Sequence, residues 1–90
     1  MGVRRLFWAG SVRDSAKDIP GPYRFFFTSF DCNEPPHVHV ERGGSTCEFW
    51  LEPIELARSY GFSAHELNVI RRIISAQRGK ILEVWHEHCG

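Results

Sequence analysis

The chain has 90 residues, which is the size of one small domain. Eleven basic and eleven acidic side chains give a formal net charge of zero, which excludes a strongly basic nucleic-acid-binding protein and an acidic solvating tail as descriptions of the whole chain. No apolar run approaches the roughly 20 residues of a membrane-spanning helix, and no segment has the pattern of a signal peptide. We therefore expect no membrane association.

The three cysteines, Cys32, Cys47 and Cys89, are irregularly spaced and form no CxxC pair. This spacing excludes a zinc ribbon and a thioredoxin-type motif. An odd number of cysteines without a signal peptide favours free thiols in a reducing compartment, so we expect a cytoplasmic protein.

A break rich in proline and glycine, residues 19–22, separates the start of the chain from the rest. Before it, residues 3–9 are apolar enough to form a short strand or an apolar arm. We therefore divide the chain into an N-terminal extension of residues 1–19, which could add an edge strand, and a single α+β domain of residues 20–90.

The domain begins with segments that have the composition of β-strands. Residues 23–30 are aromatic on both faces, and residues 37–42 and 46–51 alternate between apolar and polar side chains. Residues 53–62 fit either a short helix or a fourth strand, and we favour the strand. These segments, with a tight connection at Gly43, suit an antiparallel meander.

Helical spacing follows the strands. Ser63 and Glu66 have the spacing of a capping box, and apolar residues then recur every three or four positions. Gly79 is predicted to interrupt or end this helix, with a second helical segment after it. The sequence therefore predicts an α+β fold, in which a small antiparallel sheet of three or four strands is followed by two C-terminal helices packed on one face.

The second predicted strand has the clearest chemical signal. Because side chains alternate along a strand, His37, His39 and Glu41 are predicted to share one solvent-accessible face, with Val38 and Val40 in the core.

Two kinds of site fit this strand, and one interpretation requires no site. Two histidines and a carboxylate form a known ligand set for a divalent metal, which makes His37, His39 and Glu41 candidate metal ligands. Alternatively, His37 and His39 transfer protons while Arg42 neutralises a phosphate charge. The remaining interpretation is an amphipathic strand whose polar face has no ligand. The sequence assigns no particular cofactor, and whether the protein is an enzyme stays open.

Five strings of residues occur in a fixed order over about residues 20–90. They are Tyr23-Arg24-Phe25-Phe26-Phe27, Asn33-Glu34-Pro35-Pro36-His37-Val38-His39-Val40, Phe49-Trp50-Leu51-Glu52-Pro53, Gly61-Phe62-Ser63-Ala64-His65-Glu66-Leu67 and Trp85-His86-Glu87. This ordered set resembles the small bacterial family catalogued as domain of unknown function 4160. The start of the chain, residues 3–14, is similar to the opening of a HigB/RelE-type toxin.

The resemblance implies a cytoplasmic bacterial protein encoded in small gene pairs that suggest toxin–antitoxin modules. We therefore predict a component of such a module, with the toxin side favoured and RNA as its target. Its partner would be a small cognate antitoxin-like protein. The alternatives are a non-catalytic protein-binding module and a metal-binding domain that uses the His-x-His strand.

Overall fold

The computed structural model of the protein describes residues 3–9 and 23–89. Within these residues the chain forms one antiparallel sheet with strand order β1-β2-β3-β4-β5, a short 3-10 helix and one α-helix. The elements are β1 (Val3–Ala9), β2 (Tyr23–Thr28), the 3-10 helix (Ser29–Asn33), β3 (His37–Arg42), β4 (Ser45–Leu51), β5 (Ile54–Tyr60) and α1 (Ala64–Cys89). The predicted α+β class is confirmed. No helix of the described residues is long and apolar enough to cross a bilayer.

The sheet is a meander in which each strand pairs with the next along the chain. Strands β2 to β5 form its four-stranded part, and the ambiguous segment after Pro53 is the fourth of these strands. Strand β1 is added at the β2 edge, where Val3 lies opposite Thr28 and Ala9 lies opposite Tyr23.

The hydrophobic core lies between one face of the sheet and α1. Alternate residues of β2, β3 and β4 point into it, as period-2 geometry requires. The helix contributes residues spaced by four or seven positions, which form one stripe. The buried core residues are Tyr23, Phe25, Phe27, Val38, Val40, Cys47, Phe49, Leu51, Ile70, Ile74, Ile81 and Trp85.

The prediction of two C-terminal helices is wrong, because α1 continues without a break from Ala64 to Cys89. Gly79 lies on its outer side, where a Cβ atom would meet nothing within 4 Å. A glycine inside a helix costs about 1 kcal/mol relative to alanine. Burial of Ile81 and Trp85 beyond it is worth roughly 1.5–3 kcal/mol for each side chain, so packing outweighs the local preference.

The predicted capping box at the start of α1 is confirmed. The Glu66 N–H donates to Ser63 Oγ at 3.1 Å, and the Ser63 N–H donates to Glu66 Oε1 at 3.5 Å. Arg42 Nη1 also donates to Glu66 Oε2 at 2.7 Å, which fastens this helix end to β3.

A disulfide bond holds the other end of α1. Cys32 in the 3-10 helix is bonded to Cys89 across a sequence separation of 57 residues, with their Cα atoms 5.4 Å apart. The prediction of free thiols is therefore wrong for these two residues, because folding brings together cysteines whose spacing suggested no pair. Cys47 is free and buried.

Candidate functional site

The candidate site lies where β2 ends and β3 begins. Asp31 caps the start of the 3-10 helix that connects these strands. Its Oδ2 accepts a hydrogen bond from the Thr28 N–H at 2.6 Å, and its Oδ1 accepts one from Thr28 Oγ1 at 3.0 Å. This arrangement turns the chain and places the Asp31 carboxylate inside the protein, where the residue is only 6% exposed.

His37, the first residue of β3, is buried and held in one orientation. Its Nδ1–H donates to the Pro35 carbonyl oxygen at 2.9 Å. Its ring lies against Trp50 and Trp85, with ring centroids 5.4 and 5.6 Å apart. The residue is 1% exposed, so the prediction that it is solvent-accessible is wrong. The reason is that two indole rings from other elements cover it.

His39 lies two residues further on and points to the same side as His37. The centroids of the two imidazole rings are 5.3 Å apart, and His39 stacks on Phe26 of β2 at 5.2 Å. The side chain of His39 keeps 19% of its surface exposed. Val38 and Val40 are completely buried on the opposite side, which confirms the predicted strand register.

The two histidines converge on one carboxylate oxygen. Asp31 Oδ1 lies 2.9 Å from His39 Nε2 and 3.2 Å from His37 Nε2. We call these three residues the Asp31 cluster. One ligand atom from each residue lies within 4.8 Å of the other two. Two ligand atoms bound to the same zinc ion at the tetrahedral angle lie about 3.3–3.5 Å apart, slightly more than the 2.9 and 3.2 Å between the two nitrogens and Asp31 Oδ1.

The hydrogen bond on the far side of His37 restricts where its proton can be. A carbonyl oxygen can only accept, so Nδ1 of His37 carries a hydrogen. In a neutral His37, Nε2 therefore directs a lone pair at Asp31 Oδ1. Two acceptors 3.2 Å apart repel each other unless a proton or a metal ion lies between them. The cluster therefore favours the uptake of a proton or a metal ion.

The Asp31 carboxyl group is held in its charged form. Burial by itself raises the pKa of this group, but hydrogen bonds from His39 and Thr28 together outweigh burial, and the pKa lies below its ordinary value of 3.8. A carboxylate ionised at neutral pH is the form that binds a metal ion or pairs with an imidazolium.

The structure does not bring the other two predicted site residues to the histidines. Glu41 is paired across the strands with Arg24, whose Nε donates to Glu41 Oε1 at 2.9 Å. Arg42 points to the helix side of β3, where Glu66 binds it. Asp31 provides the carboxylate next to the histidines. Its signal in the sequence is the Thr28-x-x-Asp31 spacing of a capping box, which predicts a local turn.

A cavity on the open face of the sheet borders His39. Its volume is about 210 Å³. Glu48 links it to the cluster, because Glu48 Oε2 lies 3.6 Å from His39 Nδ1 and Glu48 Oε1 lies 3.7 Å from Arg58 Nε. The cavity is lined by Phe26, His39, Val40, Thr46, Cys47, Glu48 and Arg58.

Comparison with family models gives a match over residues 23–86 to a family described as domain of unknown function (DUF4160). The match covers more than two thirds of the chain and includes all of the Asp31 cluster. Comparison with curated proteins and with solved structures gives no match. The HigB/RelE-like start at residues 3–14 lies outside the matched range, and none of these comparisons supports it.

Proposed function

Since this chain belongs to the family of domain of unknown function 4160, whose name states no activity, we propose its function from the geometry of the Asp31 cluster. The protein is a metal-binding domain that holds one divalent transition-metal ion through Asp31 Oδ1, His37 Nε2 and His39 Nε2.

One observation carries this proposal. Two imidazole Nε2 atoms approach the same oxygen of a buried carboxylate, and each of the three side chains has a second partner that orients it. Thr28 binds Asp31, the Pro35 carbonyl binds His37, and Glu48 lies beside Nδ1 of His39. Metal-binding histidines almost always present one nitrogen to the ion and the other to a carbonyl or carboxylate.

The donor set indicates the class of metal. Two imidazoles and one carboxylate suit first-row transition ions such as Zn²⁺, Fe²⁺ or Ni²⁺ better than Ca²⁺ or Mg²⁺, which prefer oxygen ligands. Three protein ligands leave further coordination positions for water or a small ligand. His39 is the ligand that borders the cavity, so exchange with solvent would take place on that side.

Titration of the chelator-stripped protein with Zn²⁺, followed by calorimetry, tests the proposal. We expect one ion bound at this site, with binding weakened more than tenfold by His37→Ala and by Asp31→Asn, which equals more than about 1.4 kcal/mol. His65→Ala is the matched control, because His65 is an exposed histidine in the first turn of α1. The disulfide stays oxidised throughout, so that Cys32 and Cys89 cannot bind the ion as thiolates.

The competing description is a buried ion pair between Asp31 and a protonated imidazole. It predicts a folded protein that binds neither Zn²⁺ nor Ni²⁺ and whose Asp31→Asn variant has the same low affinity for metal as the wild type. That result would refute metal binding at the Asp31 cluster.

The roles implied by the family resemblance stay predictions. They are the toxin side of a toxin–antitoxin-like module, action on RNA, a small antitoxin-like partner and a cytoplasmic location. Growth arrest on expression, lost in His39→Ala, would support the toxin role. If His37 and His39 transfer protons, their Nε2 atoms cannot also hold a metal, so Zn²⁺ would inhibit RNA cleavage. Co-purification without growth arrest would favour the protein-binding alternative.

A further inference from the structure

A second set of metal-binding side chains lies at the C-terminal end of α1. One ligand atom each of Cys32, His88 and Cys89 lies within 4.8 Å of the other two. In this structure the two sulfurs form the disulfide bond. His88 Nε2–H donates to the Thr28 carbonyl oxygen at 3.0 Å, which leaves Nδ1 with the lone pair that a metal requires.

Contacts other than the disulfide hold these residues in place. Trp85 packs edge-on against Phe27 with ring centroids 5.1 Å apart, and His88 lies 5.7 Å from the same ring. The His88–Thr28 hydrogen bond joins the last turn of α1 to the end of β2. We therefore expect Cys32 and Cys89 to stay close together after the disulfide is reduced.

We propose that Cys32, His88 and Cys89 form a redox-switched metal site, in which the reduced chain binds a zinc-like divalent ion through two thiolates and one imidazole. Two sulfurs and one nitrogen are typical zinc donors, and a water molecule would fill the fourth position. In the oxidised chain the sulfurs are bonded to each other and are unavailable as thiolates.

Electrons and protons are conserved in both directions of this redox switch. A dithiol reductant gives two electrons and two protons to the Cys32–Cys89 bond and becomes a disulfide itself. The two thiols then release two protons as they bind the ion. In the reverse direction hydrogen peroxide accepts two electrons from the thiolates and, with two protons, becomes two molecules of water. The Cys32–Cys89 bond forms again and the ion is released.

This site is independent of the Asp31 cluster. Although Asp31 and Cys32 are neighbours in the chain, the Asp31 side chain is buried against the histidines, whereas Cys32 is exposed. The Asp31 cluster has no sulfur ligand, so a thiolate-to-metal charge-transfer band reports on the second site alone. A negative result at one site therefore does not affect the proposal for the other site.

Co²⁺ is the probe, added to the full chain before and after treatment with a phosphine reductant that is then removed. We expect a cobalt–thiolate charge-transfer band in the reduced chain and none in the oxidised chain. His88→Ala should weaken the binding that produces this band at least tenfold. His86→Ala is the matched control, because His86 is an exposed histidine two residues earlier on the same helix. Circular dichroism checks that each variant is folded.

A second measurement needs no variant. Bound Zn²⁺ should slow alkylation of the two thiols in the reduced wild-type chain at least tenfold, and a chelator should restore the rate. A reduced, folded chain with no cobalt–thiolate band and no zinc protection would overturn the proposal. Equal band intensity at limiting Co²⁺ in His88→Ala and wild type would overturn the role of His88.

Discussion

Replacing Asp31 by alanine tests the centre of the candidate site through protein stability alone. The Asp31 carboxylate accepts hydrogen bonds from the Thr28 N–H, the Thr28 hydroxyl and His39 Nε2, at 2.6, 3.0 and 2.9 Å. Asp31→Ala removes the acceptor and leaves these three partly buried donors without it.

The expected loss of stability is large for a chain of this size. Leaving a buried hydrogen-bond donor without its acceptor costs about 1–3 kcal/mol, so three such donors correspond to about 3 kcal/mol or more. At about 0.05–0.15 kcal/mol per residue, a chain of 90 residues has a total free energy of unfolding of roughly 5–13 kcal/mol. Asp31→Ala should therefore remove about a quarter or more of the total. Asp31→Asn keeps one acceptor oxygen and should cost less.

Urea unfolding, followed by tryptophan fluorescence with a chelator present, measures this difference. Glu34→Ala is the matched control, because the Glu34 carboxylate lies 3.8 Å from His37 Nε2 but its side chain is 57% exposed. Such exposed pairs contribute about 0–1 kcal/mol. If Asp31→Ala cost no more than Glu34→Ala, the cluster would not be a stabilising buried pair and the reasoning would be refuted.

The stability that Asp31 contributes to the folded protein depends on pH. Hydrogen bonds lower the pKa of Asp31 in the folded protein, against the effect of burial, so folding favours the ionised carboxylate. The stability that the ionised carboxylate contributes is complete above its ordinary pKa of 3.8, and it is lost as the pH falls through the lower pKa of the folded protein. The difference between wild type and Asp31→Ala should therefore shrink below pH 3.8.

Four further predictions concern the fold and its buried thiol. Gly79→Ala should raise the free energy of unfolding by about 0.5–1 kcal/mol, because the added Cβ meets nothing within 4 Å. Gly61→Ala should lower the melting temperature, because φ is +89° and the Cβ would lie 2.5 Å from Ser45 Oγ, so a gain there would contradict the turn geometry. A chain that starts at Pro20 should still unfold cooperatively, at a lower temperature than the full chain, and failure to fold would place β1 in the core. A thiol reagent should find no reactive group in the folded oxidised protein and one after unfolding, since Cys47 is buried and burial raises the pKa of its thiol to about 12. A reactive thiol in the folded state would contradict this.

Strand periodicity was sufficient to predict the register of the site. Alternation along β3 placed His37 and His39 on one side and the valines on the other, and the structure has the same register. Burial of His37 could not be predicted in the same way, because the rings that cover it, Trp50 and Trp85, come from β4 and α1. A local sequence pattern indicates the direction of a side chain, whereas the burial of that side chain depends on how elements distant in sequence pack against it.

Strand spacing could not indicate the carboxylate next to the histidines for a related reason. Glu41 shares the strand face with the histidines, but Arg24 lies opposite it on β2 and binds it. Asp31 is six residues before His37, and only the 3-10 helix brings it within hydrogen-bond distance. The disulfide depends even more on folding, because its cysteines are 57 residues apart.

The uninterrupted helix α1 contributes residues to the surroundings of both proposed metal sites. The last two turns of the helix, beyond Gly79, contain Trp85, which covers His37, and Cys89, which is bonded to Cys32. A helix that ended at Gly79 would leave His37 without the Trp85 ring that helps to cover it, and contact with water would weaken the electrostatic interaction of this imidazole with Asp31. The buried apolar residues of α1 beyond Gly79 therefore also position Trp85 against His37 and bring His88 and Cys89 to Cys32. For this reason we expect substitutions that break the helix there to affect metal binding as well as stability.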